Sequence, residues 1–339
     1  MSRRICVIEG DGVGREVVPI AVEILSAVEP TLEFVPATAG WDTFQRQGQA
    51  LPDETLDTVR NCGVAIFGAC SSPSRSVKGY RSPIIYLRQN LGLYACLRPV
   101  ISLPLPTCRP GVDLLIVREN TEGLYVGREE TDGELATASR IVTRQASARI
   151  ARFAFELACR QNRHRLTVVH KANVLPLTCG LFRTTALEIS HEYPEIAVDE
   201  MLVDVAAMYL AKEPGRFDVI LTTNLFGDIL SDEASVWGGG IGMAASLNIG
   251  SGLFVAEPVH GSAPNIAGRD QANPIAAILS GALLLRYAFG MEQAAKRIER
   301  AVSRVLEDGY RTMDLVEGDQ VAVGTREMGR YVIARLCNE

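Results

Sequence analysis

Two aspartates carry the strongest chemical signal of the chain. Asp228 and Asp232 lie in the segment Asn-Leu-Phe-Gly-Asp-Ile-Leu-Ser-Asp, shortly after an apolar run. Residues four apart share a helix face, so both carboxylates would point the same way and repel each other unless a cation lies between them. Mg²⁺ and Mn²⁺ prefer such oxygen ligands. The spacing predicts a divalent-metal site, although taken alone it fits a helix-end charge beside an exposed carboxylate equally well. Asp204, at the end of another apolar run, offers a third carboxylate.

A lysine and a tyrosine are candidates for proton transfer. Lys171 follows the apolar run Leu166–His170, and near a metal it could serve as a base. On this segment alone, a lysine at the rim of the fold with a solvated ammonium group is the more ordinary interpretation. Tyr125, at the end of Val-Arg-Glu-Asn-Thr-Glu-Gly-Leu-Tyr, is either a core phenol or a proton donor.

Three arginines are candidates for binding anions. Arg98 and Arg118 each close a strand-like run, and Arg88 precedes them in Tyr-Arg-Ser-Pro-Ile-Ile-Tyr-Leu-Arg. A guanidinium group matches a carboxylate in two parallel hydrogen bonds, so three convergent arginines would suit a di- or tricarboxylate. Any one of them alone is more often a surface ion pair.

Two glycine-bearing segments are candidates for binding a nucleotide. Gly-Asp-Gly-Val-Gly, from Gly10, follows a strand, but its third glycine comes one residue early for a dinucleotide fingerprint. We therefore interpret it as a tight turn that a ligand or another domain approaches closely. The segment from Glu257 to Pro274 predicts an ordered loop before a helix, whose backbone N–H groups could hold an adenosine moiety.

The elements that must position these residues alternate between strands and helices, which indicates an α/β architecture with buried strands. The predicted strands are Arg4–Ile8, Leu32–Pro36, Val64–Gly68, Tyr94–Pro99, Asp113–Arg118, Leu166–His170, Met201–Asp204 and Asp218–Thr222. The predicted helices are Glu16–Val28, Ala146–Cys159, Leu181–Tyr193 and two consecutive helices between Pro274 and Leu306 that are broken near Gly290. The segment Arg128–Arg140 reads as a solvated hairpin or loop.

Composition limits the class of protein. With 339 residues, two domains are expected, and a net charge of −6 argues against a nucleic-acid or membrane-surface role. The eight cysteines are scattered without a Cys-x-x-Cys pair, so we expect reduced thiols and a cytoplasmic protein. The N-terminus lacks the apolar region of a secretory signal, and the longest apolar stretch, Ile275 to Leu285, is too short to span a bilayer.

Together and in this order, these segments resemble the isocitrate/isopropylmalate/homoisocitrate dehydrogenase family from end to end. The most specific are the segment ending at Tyr125, His-Lys-Ala-Asn-Val from His170, and Gly-Asp-Ile-Leu-Ser-Asp from Gly227. The resemblance implies an isopropylmalate dehydrogenase-like fold, an interwoven two-domain α/β/α sandwich without a Rossmann domain.

The resemblance also implies how the domains divide the chain. Residues 1–99 and 253–339 would form a large cofactor-binding domain. Residues 100–252 would form a small domain with the dimer interface and an arm near residues 124–142, which replaces the loop interpretation of Arg128–Arg140. The assembly would be a homodimer, or a tetramer, with active sites shared between subunits.

The family's chemistry is the oxidative decarboxylation of a 2-hydroxy acid. Asp228 and Asp232 of one chain and Asp204 of the other would hold Mg²⁺ or Mn²⁺, which binds the substrate's hydroxyl and adjacent carboxylate. The partner subunit's Lys171 would take the hydroxyl proton while hydride passes to nicotinamide, and Tyr125 would protonate carbon after CO₂ leaves. The implied substrate contacts are Ser72, Ser82, Ile84, Ile85, Arg88, Arg98, Arg118 and Asn173.

The resemblance places the cofactor on the second loop. The implied contacts are Glu257, His260, Gly261, Ser262, Ala263, Asn265, Ile266, Ala272 and Asn273. NADP-using relatives carry Lys-Tyr at positions 265–266 and Val at 272, whereas NAD-using relatives usually carry Asp-Ile. Asn265 can bond a ribose hydroxyl but repels a 2′-phosphate less than aspartate does. We expect NAD, with weaker discrimination than aspartate would give.

The substrate's distinguishing arm should lie against Ser82–Ile85. Isocitrate enzymes tend to show Ser-x-Asn here, but Ile84 stands where Asn is expected; isopropylmalate enzymes show two leucines, which Ile84 and Ile85 imitate without the usual upstream glutamate. The run from Val77 is most similar to fungal-type homoisocitrate dehydrogenases, so we expect homoisocitrate first, isocitrate second and isopropylmalate third. A metabolite-binding regulatory subunit without catalysis is the alternative of a different class, disfavoured because the acid–base and metal residues are all present.

Overall fold

The computed structural model describes residues 3–75 and 77–336, a mixed α/β structure with twelve strands and eleven α-helices in those ranges. The strands are β1 (Arg4–Ile8), β2 (Glu33–Ala37), β3 (Val64–Phe67), β4 (Ala95–Ile101), β5 (Asp113–Glu119), β6 (Glu129–Thr131), β7 (Ala136–Ala138), β8 (Arg165–His170), β9 (Ala197–Leu202), β10 (Val219–Thr222), β11 (Ala245–Ile249) and β12 (Phe254–Pro258). The helices are α1 (Gly14–Val28), α2 (Trp41–Gln47), α3 (Asp53–Cys62), α4 (Pro83–Asn90), α5 (Arg144–Arg160), α6 (Thr178–Ser190), α7 (Val203–Lys212), α8 (Asn224–Ser235), α9 (Ile275–Tyr287), α10 (Glu292–Glu307) and α11 (Thr325–Leu336).

Ten of these strands form one continuous sheet in the order β2-β1-β3-β12-β11-β4-β5-β10-β8-β9. The strands β5, β10, β8 and β9 are parallel, so their carboxyl ends lie at one edge, which we call the metal edge. Strand β4 is antiparallel to both of its neighbours, and β12, β3, β1 and β2 run opposite to β5. The carboxyl ends of β4 and of the β12–β2 group therefore lie at the other edge.

The two faces of the sheet differ in what covers them. One face packs on a single apolar core that extends from Ile5 and Ile66 to Leu115 and Val168, covered by helices that include α1, α5 and α9. The opposite face packs on two separate cores, one around Phe67 and one with β5 and α8. Between these two cores the central strands place polar side chains, because successive residues of a strand alternate between faces.

Most predicted elements are confirmed. Strand β1 has the predicted bounds, the helix predicted at Glu16–Val28 begins two residues earlier, and the two helices after Pro274 are α9 and α10, with Gly290 between them. In α10 the apolar side chains recur at helical spacing, so one face is buried while the other carries charge.

Two strands were missed, and two expectations about strand ends are wrong. Strands β11 and β12 were not predicted, because Ala-Ser-Leu-Asn-Ile mixes small and polar residues with apolar ones. Asp204 does not end a strand: β9 ends at Leu202, and Asp204 lies in the first turn of α7, where a carboxylate meets the positive helix end. Arg98 does not close a strand, because β4 continues to Ile101.

The segment from Gly10 is a tight turn that another part of the chain approaches. Gly12 has a φ of +55°, and a Cβ there would lie 2.1 Å from the carbonyl oxygen of Ser262. The amide of Val13 donates to that same oxygen over 2.9 Å. The sequence did not say whether a ligand or another domain approaches this turn. In the structure, the chain's own loop before α9 approaches it.

Within the described ranges, the helices are too short or too polar for a bilayer crossing. Seven cysteines are free thiols: Cys6, Cys62, Cys70, Cys96, Cys108, Cys159 and Cys179. Cys337 lies outside the described residues.

Candidate active site

A polar row crosses the middle of the sheet between the two smaller cores. Directly paired residues point to the same face, and the pairs Arg118–Cys96, Cys96–Asn248 and Ser246–Glu257 continue from β5 through β4 and β11 to β12. Arg98 lies two residues from Cys96 in β4 and so shares this face. The row explains why β11 alternates polar with apolar residues.

Arg118 is the most deeply buried cation of the row, with its side chain 1% exposed. Its Nε and Nη2 both donate to Oδ1 of Asn224, over 3.0 and 2.7 Å, and its Nη1 donates to Oδ1 of Asp228 over 2.5 Å. Gly227 allows this packing, because a Cβ there would lie 2.7 Å from the Arg118 side chain. A buried charge is tolerated only when paired and hydrogen bonded, and Arg118 has both kinds of partner.

Arg98 reaches the same helix, α8, from the neighbouring strand. Its Nη1 donates to the hydroxyl of Ser231 over 2.5 Å and lies 3.2 Å from Asp228 and 3.4 Å from Asp232. The two aspartates are one turn apart on α8, as their spacing predicted. We call Arg98, Arg118, Tyr125, Asp228 and Asp232 the arginine–aspartate cluster.

The two aspartates of this cluster ionise differently. Burial opposes ionisation of Asp228, but Arg118 and Arg98 outweigh it and hold the pKa of its carboxyl below the ordinary 3.8. At Asp232, whose side chain is half-exposed, burial and the nearby Asp228 raise the pKa despite Arg98. Asp228 is thus fixed by the protein, whereas Asp232 is open to a further cation.

Tyr125 donates its hydroxyl hydrogen to Oδ2 of Asp228 over 2.5 Å, so its phenol is hydrogen bonded within the cluster, and its role as a proton donor stays a prediction. Burial and the bond to Asp228 raise the pKa of Tyr125 above its ordinary value, so the phenol keeps its proton at neutral pH. Its position is also supported from α4, where the Gln89 amide donates to the Tyr125 carbonyl over 3.1 Å.

Arg88 lies at the other end of the row and is bound to Glu257 of β12. Its Nη2 donates to Oε1 of Glu257 over 2.6 Å, and Asn248 donates to the same oxygen over 2.8 Å. Asn120 in turn donates to Asn248 over 2.8 Å. Glu257 therefore belongs to β12 and to the polar row, which corrects its expected place in the loop.

Two buried donors of the row lack partners. The Nε atoms of Arg88 and Arg98 are buried and make no hydrogen bond to any described residue. An unsatisfied donor on a buried cation costs free energy. Both Nε atoms therefore indicate a binding site for a ligand that accepts hydrogen bonds.

The segment expected to select the substrate is the start of α4. Ser82 is the residue before the helix, and its hydroxyl makes no capping bond. Ile84 packs against the core around Phe67, whereas Ile85 is half-buried and belongs to none of the three cores. Of the isoleucine pair, the structure thus leaves Ile85 the freer to meet a ligand. Ser72, exposed, lies 3.5 Å from the Tyr80 hydroxyl.

Lys171 and Asp204 form an ion pair of their own, which we call the lysine pair. Lys171 follows β8 and Asp204 follows β9, so the pair lies at the metal edge, as does the start of α8. In this pair the Lys171 ammonium holds the pKa of the Asp204 carboxyl below its ordinary value. Asn173, two residues after Lys171, is exposed.

The described residues of a single chain contain no cluster of three metal-binding side chains. Asp204 is bound to Lys171 and is not grouped with the carboxylates of α8. The donor set nevertheless fits a hard divalent cation, because Asp228 and Asp232 offer only oxygen atoms and Asp232 is half-exposed. Completing a three-carboxylate set would need a carboxylate from beyond the described residues of this chain.

The loop between β12 and α9 carries most of the expected cofactor contacts. Gly261, Ala263 and Asn265 are exposed, His260 and Ile266 are half-buried, and Ser262 is buried. Ala263 has a positive φ of 38°, a rare conformation for a residue with a side chain.

The far end of this loop is buried. Asn273 donates to Asp314 over 3.1 Å and accepts from the Ile275 amide over 3.0 Å, so it caps α9. Ala272 is 3% exposed. These two residues hold the loop in place, and their direct contact with cofactor stays a prediction.

Sequence reasoning missed five supporting residues: Gln89, Asn120, Asn224, Ser231 and Asn248. Asn224 and Ser231 belong to the motif that carries the aspartates, so their spacing on α8 was an available signal. Asn248 and Gln89 act across strands or segments that are distant in sequence, and no local pattern marks them.

Comparisons with known proteins show what the whole chain is similar to. A family model described as isocitrate/isopropylmalate dehydrogenase matches residues 4–332. The isocitrate/homoisocitrate dehydrogenase of Thermus thermophilus is 53% identical over 315 residues, covering 93% of this chain and 94% of that protein. The 3-isopropylmalate dehydrogenase of Archaeoglobus fulgidus is 45% identical over 314 residues, covering 92% and 94%. The crystal structure of isocitrate dehydrogenase from Methylococcus capsulatus has a TM-score of 0.94 at 43% identity and covers 98% of this chain and 99% of that one.

Proposed function

The chain belongs to the isocitrate/isopropylmalate dehydrogenase family, and from this premise we propose that it oxidises and decarboxylates homoisocitrate with NAD and Mg²⁺ or Mn²⁺. The family acts on hydroxy acids with a metal ion and a nicotinamide cofactor. The proposed reaction converts homoisocitrate and NAD⁺ to 2-oxoadipate, CO₂ and NADH. The observation that carries it is the aspartate pair, of which Asp232 is half-exposed, beside buried arginines with unpartnered donors.

Charge balance supports a polycarboxylate that enters with a cation. Three buried guanidinium groups, those of Arg88, Arg98 and Arg118, face three carboxylates, so the row is formally neutral. A divalent cation alone would unbalance it, as would a polyanion alone. Bound together they nearly cancel, which keeps the desolvation cost low.

The arginines would hold the substrate by the part that the family's substrates share. The free Nε donors of Arg88 and Arg98 would each donate a hydrogen bond to a carboxylate oxygen of the substrate. Arg118 has most of its donors committed to Asn224 and Asp228, so its role is to support Asp228 as much as to bind.

Asp228 and Asp232 would hold the divalent ion together with the partner subunit's Asp204. When bound, that ion supplies a Lewis acid next to the substrate's hydroxyl and carboxylate, and NAD supplies the hydride acceptor. The partner subunit's Lys171 takes the proton from the hydroxyl oxygen as the C–H hydride leaves. After CO₂ is lost, Tyr125 donates its phenol proton to the carbon atom from which CO₂ left. The raised pKa of Tyr125 suits this role, since the proton is present at neutral pH.

A homodimer is part of the proposal, because the lysine pair and the arginine–aspartate cluster belong to different active sites. Supporting it, exposed apolar side chains lie beside both: Leu177 is 85% exposed, and Met208 on α7 and Ile229 on α8 are each more than half-exposed. An apolar surface of this kind is typical of an interface. The hairpin β6–β7 would be the dimer arm, and Leu135 at its turn is 64% exposed. A tetramer remains the alternative assembly, and the proposed compartment is the cytoplasm.

Assaying the purified protein with Mn²⁺, NAD and each of homoisocitrate, isocitrate and 3-isopropylmalate tests the substrate. We expect the highest kcat/KM for homoisocitrate, because Ile84 stands where isocitrate enzymes carry Asn and no glutamate precedes the isoleucine pair. A higher kcat/KM for either other acid would replace homoisocitrate. Binding without turnover of any acid would favour the regulatory-subunit alternative.

The cofactor proposal has its own measurement. We expect kcat/KM to be higher with NAD than with NADP. Asn265→Asp should widen that ratio about fivefold, a difference of about 1 kcal/mol, because a carboxylate repels the 2′-phosphate. Asn265→Gln keeps the amide and serves as the control. A preference for NADP in the parent enzyme would contradict the proposal.

A further inference from the structure

A half-enclosed cavity of about 320 Å³ lies away from the arginine–aspartate cluster. It opens where β4 ends and β11 begins, and because β4 is antiparallel to β5 this is the edge opposite the metal edge. Its walls come from the segment 99–103, the segment 235–245 and the helices α9 and α10. The cavity therefore lies at the junction between the two proposed domains.

The inner wall is apolar and the mouth is charged. Val100, Leu103, Met243, Leu279 and Leu283 form much of the inner wall. Most of the lining area is apolar, and the volume is within the range of small-molecule sites.

The charged side of the mouth is one face of α10. Lys296, Glu299, Arg300 and Ser303 are spaced at helical intervals and all line the cavity, and Arg300 already has an interaction of its own. Both carboxylate oxygens of Glu299 accept from Arg286, over 2.6 and 2.9 Å, so this negative charge is already neutralised. Among the described residues, the ion pair of Lys296 is a loose 3.4 Å contact with Glu292, and its side chain is half-exposed, so its ammonium can turn toward a ligand in the mouth.

An apolar interior with a loosely paired, half-exposed ammonium at the mouth matches one chemical class. We propose that this cavity binds a short aliphatic carboxylate, with its hydrocarbon chain against the inner wall and its carboxylate at Lys296. A neutral hydrocarbon would leave the ammonium unused, and an aliphatic amine would place like charges together.

Helix α8 connects the cavity to the active site. Ser235, at its carboxyl end, lines the cavity and donates its hydroxyl to the backbone carbonyl of Asp232 over 2.7 Å. Asp232 is three residues away, about 4.5 Å along the helix axis. On the other wall, Pro99 directly follows Arg98. A ligand that moves either wall would shift a member of the arginine–aspartate cluster. We therefore expect the occupied cavity to lower kcat/KM. This effect on kcat/KM rests on the proposed function, whereas the binding itself does not.

Octanoate is the probe, titrated calorimetrically into the purified full-length protein, with octylamine as the opposite-charge control. We expect octanoate to bind and octylamine not to bind. Lys296→Glu should raise the Kd for octanoate about fivefold or more, and Lys296→Arg should leave it nearly unchanged. Equal binding of the two probes, or an unchanged Kd in Lys296→Glu, would overturn the carboxylate assignment.

The arginines of the polar row could also bind a carboxylate. Variants that block the cavity show whether octanoate binds in the cavity or at those arginines. Ala244 is half-buried on the cavity wall in an extended conformation that any residue adopts, so Ala244→Phe fills the space while Ala244→Ser does not. Ser303→Phe fills it from α10 and covers the case in which Ala244→Phe does not fold. We expect either folded blocking variant to lose octanoate binding. If the folded variants bind octanoate as the parent does, the site is not this cavity.

Steady-state kinetics test the connection to the active site. We expect saturating octanoate to lower kcat/KM for the hydroxy acid severalfold in the parent and to have no effect in Ala244→Phe. If octanoate binds but both proteins keep their kcat/KM, the coupling is wrong and the site stands. If the protein oxidises no hydroxy acid, the proposed function fails and the calorimetry still decides the cavity.

Discussion

The arginine–aspartate cluster and the lysine pair lie at the same sheet edge but are built in opposite ways. The cluster interlocks five side chains with two buried cations, and Asn224 and Ser231 support it from α8. The lysine pair has two partly exposed side chains bound only to each other among the polar contacts described. Side chains that are bound within their own chain, as in the cluster, contribute to the folding stability of that chain. An exposed pair such as the lysine pair contributes little to folding stability until a further group binds to it.

The difference therefore predicts separate effects of mutation. Changes in the lysine pair should affect catalysis with little cost in stability. Changes in the cluster should affect both, because they leave buried arginines without a partner.

The largest effect should come from Lys171→Met. Removing a general base usually costs roughly 10²–10⁴-fold in rate, so kcat should fall by that much while the unfolding midpoint in urea stays close to that of the parent. Lys212→Met, on an exposed lysine at the end of α7, is the matched control and should keep full activity. If Lys171→Met retained parental kcat, the lysine pair would have no part in the chemistry.

The second effect is recovery of activity in mixed dimers. Lys171→Met and Asp228→Asn should each be nearly inactive alone, but unfolding and refolding them together should restore up to about a quarter of parental activity, since half the dimers are mixed and each has one intact site. Refolding each variant alone is the control. No recovery from a mixture that forms dimers would place the two regions in the same site of one chain.

Stability should distinguish the two aspartates of the cluster. Asp228→Asn leaves the buried Arg118 without its anion and should lower the free energy of unfolding by about 1–3 kcal/mol. Asp232 is half-exposed with one long contact to Arg98, so Asp232→Asn should cost under about 1 kcal/mol. Urea denaturation without metal measures both. Equal costs would mean that the cluster does not depend on Asp228 as described.

The smallest effect is a pH dependence of the stability difference between the parent and Asp228→Asn. The folded-state pKa of Asp228 lies below its ordinary value, so its stabilisation is full above pH about 4 and is lost as pH falls through the folded pKa. The stability gap between the parent and Asp228→Asn should therefore narrow from pH 6 toward pH 3. Asp204→Asn is the comparison from the lysine pair and should show little gap at either pH, because that pair is exposed. A gap at Asp228 that widens in acid would contradict the sign of its pKa shift.

Much of the site could be predicted from local sequence, because its determinants are local. The spacing of Asp228 and Asp232 places them on one helix face, and the apolar runs before Lys171 and Arg118 place both residues at strand ends. The loop before α9 and the two helices that follow it were also predicted from turn residues and helical periodicity. The family resemblance added the order in which these pieces belong together.

The tertiary structure decided which pieces meet. Periodicity does not say that β4 runs antiparallel in the middle of the sheet, and this reversal places Arg98 opposite α8. Glu257 binds Arg88 across 169 positions of sequence, and Ser262 closes on Gly12. Local patterns determine the helix or strand on which a side chain lies, because those are set by neighbouring residues. Its partner is determined by strand order and packing, which depend on the whole chain at once, and for Lys171 and Asp204 we propose that they depend on a second chain as well.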